Sequence, residues 1–112
     1  MANGFTYRDL LVWKQGMGLV ELCYRVTAES FPKTETYGLA SQMRRAAVSI
    51  PSNLAEGHCR RTTGAYLNHV SIALGSNGEL RTCIEISERL KFCDSRNAKL
   101  LSEQCDSVGR LL

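Results

Sequence analysis

The run His58-Cys59-Arg60-Arg61 sets an imidazole, a thiol and two guanidinium groups side by side in a chain of 112 residues. An imidazole next to a thiol is raw material for metal binding or for an activated nucleophile, but either use needs partners at ligand or hydrogen-bond spacing. The other histidine, His69, and the other cysteines, Cys23, Cys83, Cys93 and Cys105, add no CxxC pair and no zinc-like spacing. No Ser-His-Asp or Cys-His set, phosphate-binding glycine loop or isolated carboxylate pair is present either. The expectation is a protein that is not an enzyme and has no catalytic, cofactor-binding or metal-ligating residues. His58 and His69 are then solvent or interface histidines. The cysteines are small core residues, with Cys59 the most reachable.

The arginines carry a different chemistry. A guanidinium group presents several donors to phosphate oxygens, and Arg44, Arg60 and Arg61, helped by Arg25, are the candidates for a surface that binds RNA or single-stranded DNA. The formal net charge of +3 permits such a partner without demanding one. The same residues also suit ordinary solvated charge, and as a phosphate patch they gain only when an assembly repeats them around a ring. The alternative is a protein-protein adaptor with no nucleic-acid role.

Helices must position these side chains. Between Tyr37 and Gly57, the residues Leu39, Met43, Ala46, Ala47, Ile50 and Leu54 follow helical spacing and make one core face. Gln42, Arg45, Ser49, Asn53 and Glu56 form a polar stripe about a quarter-turn away, expected to line a packed interface. Arg45 is expected to pair with Glu79 across helices two and three, because one charge there would be costly without the other. The third side, with Arg44, Val48, Pro51, Ser52 and Ala55, is too small and apolar for a solvated face. Pro51 costs a helix ~3 kcal/mol. The stripes on both sides of it predict a helix that runs through with a kink, and Gly57 is the expected stop.

Met1 to Phe5 reads as a loose lead-in. Thr6 with Asp9 resembles a capping box that opens helix one. Leu10, Trp13, Met17, Val20, Tyr24 and Thr27 form its expected bundle seam. Leu19, Leu22 and Val26 lie on the opposite side with Val12 and Cys23, and are expected to be covered by other copies of the chain. Phe31-Pro32-Lys33 is the turn, and Thr34 is the expected N-cap of helix two. Thr62 or Thr63 caps helix three, which runs to about Lys91 and spans ~43 Å. Its main stripe is Tyr66, Val70, Ala73, Asn77, Leu80, Ile84 and Ser87. A second stripe places Ile72 and Ile86, together with Val48, at the oligomer interface. Gly75, Ser76 and Gly78 predict a close crossing with helix two there. Asp94 or Ser95 caps helix four, with Ala98, Leu101, Cys105, Val108 and Leu112 as its seam.

The length suits one domain over residues 1–112. Two prolines and few alternating runs favour an all-α chain, and short connectors favour an antiparallel up-down-up-down four-helix bundle. No apolar run approaches the ~20 residues of a membrane span. The expected protein is soluble, without membrane contact, and its five cysteines fit a reducing cytoplasm.

Several of these residues also carry a resemblance. Phe5 with Leu10-x-Val12-Trp13, Phe31-Pro32 followed by Glu35-x-Tyr37-Gly38-Leu39, the run from Gln42 to Gly57, and Ile72-Ala73-Leu74-Gly75-Ser76 with Glu79-Leu80 occur in order over nearly the whole chain. Together they resemble the bacterial four-helix bundle protein family named for members encoded in intervening sequences of 23S ribosomal RNA genes. The resemblance implies a left-handed bundle that assembles as a ring-like homopentamer, without enzymatic activity or cofactors. More distantly, the chain is similar in fold to the accessory protein of diversity-generating retroelements, which implies a nucleic-acid partner and a protein partner.

Overall fold

The computed structural model describes residues 4–112. Among them, regular structure is helical throughout, without strands. The helices are α1 (Leu11–Ser30), α2 (Leu39–Cys59), α3 (Thr63–Arg89) and α4 (Ser95–Leu111). Of the lead-in expected to be loose, residues 1–3 lie outside the described part, and Phe5 packs its ring on His58.

The helix ends show which local signals win. The capping box of Thr6 and Asp9 forms, with the Thr6 N–H donating to Asp9 Oδ2 at 2.8 Å. It closes a 3-10 turn, Tyr7–Asp9, and α1 begins only at Leu11. Thr34 is not the cap of α2. It sits inside a second 3-10 turn, Lys33–Glu35, and the Glu35 carboxylate caps from outside, accepting the Leu39 N–H at 3.0 Å. A carboxylate at that end also meets the positive pole of the helix. Thr62 and Asp94 cap α3 and α4, accepting the N–H groups of Ala65 at 3.1 Å and Asn97 at 2.8 Å.

Each helix packs on its neighbour in the chain, and α4 closes back on α1. The bundle measures 49 × 22 × 20 Å. Its core is built around Leu19, Met43, Ile50, Leu54, Leu80, Ile84, Leu101 and Val108, all sealed from solvent. Between α1 and α2, Arg44 bonds Thr27, while Gly16 faces Ile50 and Pro51. Between α3 and α4, Asn77 bonds the Cys105 carbonyl and Arg81 pairs with Asp106.

The expected assembly role of Leu19, Leu22 and Val26 is overturned, because all three are buried within the single chain. Both sides of α1 are apolar enough to face a core. The aliphatic side goes inward because it loses nothing on burial. Of the expected seam, Thr27 is buried with its hydroxyl donating to the Cys23 carbonyl at 2.8 Å, whereas Tyr24 would bring a phenol into the core. Met17 and Tyr24 accordingly face outward.

Helix α2 is unbroken across Pro51, and the ring of Pro51 is buried. Gly57 is not its stop but a buried residue of its last turn. The Ser76 part of the expected crossing forms, its hydroxyl 2.7 Å from that of Ser49 on α2, but Gly75 and Gly78 take no part, since open space surrounds both positions. The close approach of α2 and α3 lies instead at Gly57, where an added Cβ would stand 2.7 Å from His69 Cβ.

Candidate functional site

Helix α2 ends at Cys59, and the chain reverses through Arg61 in the left-handed region, φ +63°, before Thr62 caps α3. This corner faces the N-terminal 3-10 turn across an open cleft of about 730 Å³. Phe5, Tyr7, His58, Cys59, Arg61 and Tyr66 are among the residues that line it. The Phe5 and His58 rings meet at a tilt of 46°, 5.7 Å between centroids, and Tyr7 meets Trp13 edge-on at 5.4 Å. The Arg8 guanidinium lies over the Trp13 ring at 5.6 Å. Aromatic faces and cationic groups therefore share one end of the bundle.

The expected arginines do not form one patch. Arg60 is held by Glu56 at 2.8 Å on an exposed turn of α2. That hydrogen bond, with help from His69, holds the Glu56 carboxyl below the usual carboxylate range. Arg61 is exposed and makes no ion pair among the described residues. Arg44 stands about 24 Å along α2 from Arg60, 16 residues at 1.5 Å each. Its Nε donates to Thr27 Oγ1 at 2.8 Å, and its guanidinium covers the Tyr24 ring at 4.6 Å. These contacts make Arg44 a clamp between α1 and α2. Arg25 is exposed on α1 beside Tyr24, away from the corner.

The polar stripe of α2 becomes a ladder of hydrogen bonds to α3. Gln42 Nε2 donates to Glu79 Oε2 at 3.4 Å, and the Ser49 and Ser76 hydroxyls share a bond of 2.7 Å. Asn53 Nδ2 donates to the Ser49 carbonyl at 2.8 Å, and Asn53 Oδ1 lies 2.9 Å from His69 Nδ1. Across the ring, His69 Nε2 lies 3.8 Å from the Glu56 carboxylate. Arg45 takes no part, because it is exposed and Glu79 is partnered by Gln42. On a surface, a pair of long charged side chains gains too little to be held together.

His69 and Ser76 are the members that sequence reasoning left out of the ladder. Of the two places expected for it, solvent or an interface, His69 takes the second, buried between α2 and α3. Its signal was its position four residues before Ala73, on the same stripe as Asn77, Leu80 and Ile84. Of the interface candidates, Val48, Ile72 and Ile86 are exposed.

Four thiols are core residues as expected, and Cys59 is exposed. Burial pushes the Cys23 and Cys105 thiols up to about 12 and raises those of Cys83 and Cys93. Such thiols stay protonated and are poor nucleophiles. No group of three or more His, Cys, Asp and Glu among the described residues could hold a metal ion. No described helix is long and apolar enough to cross a membrane.

A family model described as 23S rRNA-intervening sequence protein matches residues 8–112. No curated protein matches the chain.

Proposed function

Since the chain belongs to the family of 23S rRNA-intervening sequence proteins, we propose that it is a non-enzymatic scaffold, assembled from several copies, that binds RNA or single-stranded DNA on a basic surface. The observation that carries this reading is the outward set Ile72 and Ile86 on α3 and Leu90 at its C-cap. At 100° per residue these three lie within about 40° of one another, yet they are 45%, 39% and 57% exposed in the single chain. Ser76 and Glu79, which bond α2, interrupt the stripe, and the apolar side chains left in water on either side of them favour contact with another copy. Repetition of Arg60 and Arg61 around that assembly then turns weak single sites into useful avidity. A homopentamer is the assembly that the family resemblance implies.

The bundle is read as antiparallel, up-down-up-down and left-handed. Support for the antiparallel order comes from contacts that rise along one helix as they fall along the next, as in Gln42 to Glu79 and Asn53 to His69. A cytoplasmic location suits a chain with five free cysteines.

Two measurements on the full chain test the function. Light scattering is expected to give a multi-copy particle, and a monomer would remove the scaffold. Fluorescence anisotropy with labelled RNA at ~50 mM salt, where phosphate contacts are strongest, is expected to show binding. A flat titration there would remove the nucleic-acid role. A protein-protein adaptor is the second reading, favoured by Leu11, Met17 and Tyr24 exposed along α1.

A further inference from the structure

We propose that the cleft at the α2–α3 corner is a subsite for one unpaired nucleotide of a single-stranded nucleic acid, with its base against Phe5, His58 and Tyr66 and its phosphate at Arg61. The inference rests on the nucleic-acid reading above and locates it. A cleft of about 730 Å³ falls within the ~300–1,000 Å³ typical of small-ligand pockets. Most of the side chains lining it are aromatic, hydroxylic or cationic, Leu10 and Cys59 complete the lining, and no carboxylate is among them. That charge balance suits a phosphodiester and disfavours an acidic peptide. Bases in a duplex are stacked on each other, so only a single strand can offer a face to these rings.

Arg61 adds a second observation. It holds φ +63° at the position after a helix end where glycine is the economical residue. A side chain kept there at a backbone cost, with no partner among the described residues, is available for a ligand. Lys91 holds the same backbone angle after α3, far from the cleft, and serves as the control.

The experiment is anisotropy of labelled oligouridine and of a duplex of equal length, with the full chain and with Arg61→Gly, Tyr66→Leu and Lys91→Gly. Tyr66→Leu is expected to weaken oligouridine binding about tenfold or more. Arg61→Gly should reduce the slope of log affinity against log salt by about 0.7, the share of one single-strand phosphate. Its melting temperature should not fall, and Lys91→Gly should bind as the parent does. Equal binding by the parent, Arg61→Gly and Tyr66→Leu would overturn the subsite while leaving a nucleic-acid surface elsewhere on the protein. Duplex bound as tightly as oligouridine would also overturn it, as would an equal loss in Lys91→Gly. A parent that binds neither probe would remove the wider reading, and the subsite with it.

Discussion

Gly57 of α2 and His69 of α3 approach so closely that no side chain fits between them. A methyl group at Gly57 would stand 2.7 Å from His69 Cβ, 3.2 Å from His69 Cγ and 3.3 Å from the Tyr66 Cα. The last of these is backbone and cannot swing aside. The same approach brings the His69 ring within 2.9 Å of Asn53 Oδ1 and holds Tyr66 at the cleft. The missing side chain thus sets the spacing of α2 and α3.

Gly57→Ala is therefore expected to lower stability by about 1–3 kcal/mol, the usual cost of forcing a group into a packed site. Gly16→Ala should do the opposite. Its new methyl would meet Pro51 and Ile50 at ordinary distances of 3.5–3.6 Å, and a helical glycine costs ~1 kcal/mol against alanine. Urea unfolding of the two variants checks the contrast, and equal shifts of the same sign would contradict it.

Asn53→Ala removes the link between the Ser49 carbonyl and His69 Nδ1. The buried imidazole then loses its partner, at an expected cost of about 1–3 kcal/mol. Hydrogen exchange should show the loss concentrated in the second half of α2 and the first half of α3. Protection unchanged in those segments would mean that the ladder holds nothing together.

Asn77 is buried in the core face of α3, and its Oδ1 has no hydrogen-bond partner among the described residues. Its Nδ2 makes one bond of 3.2 Å to the Cys105 carbonyl. Leucine has nearly the same shape and no polar group to desolvate. Asn77→Leu is expected to raise stability by about 1 kcal/mol. A thermal midpoint below that of the parent would show that the single bond outweighs the orphaned carbonyl.

The buried thiols make the fold sensitive to alkali. In the folded chain burial pushes the Cys23 and Cys105 thiols up to about 12, against 9.0 for a thiol in the unfolded chain. Between those limits the unfolded chain binds fewer protons than the folded one, so stability falls as pH rises. The stabilisation is complete below pH 9.0, and the loss above it is on the order of a few kcal/mol. Circular dichroism during urea unfolding at rising pH should show the decline, and Cys105→Ala should make it shallower. An unchanged slope in that variant would exclude the thiol as a source.

For assembly, Ile72→Glu with Ile86→Glu should leave the helix content intact and shrink the particle, because both side chains reach solvent in the single chain. Leu19→Glu should instead unfold the chain, since an unpaired carboxylate would be sealed in the core. Light scattering and circular dichroism together separate the two outcomes. A folded Leu19→Glu chain of reduced mass would restore Leu19 to the interface.

The amino-acid sequence alone determined the helical class, the core face of α2 and most of α3's, the caps of α3 and α4 to within one residue, and a polar stripe that pairs with α3. These follow from local periodicity and from capping chemistry, which need only a few neighbouring residues. Tertiary structure decided which side of α1 goes inward, because both sides are apolar and only the packing of α2 and α4 distinguishes them. It decided that Gly57, and not Gly75 or Gly78, marks the close approach, because a glycine's role depends on what stands opposite. It also separated Arg44 from Arg61, one clamped to Tyr24 and the other open at a cleft. Equal charge in a sequence carries no information about which charges the fold leaves without partners.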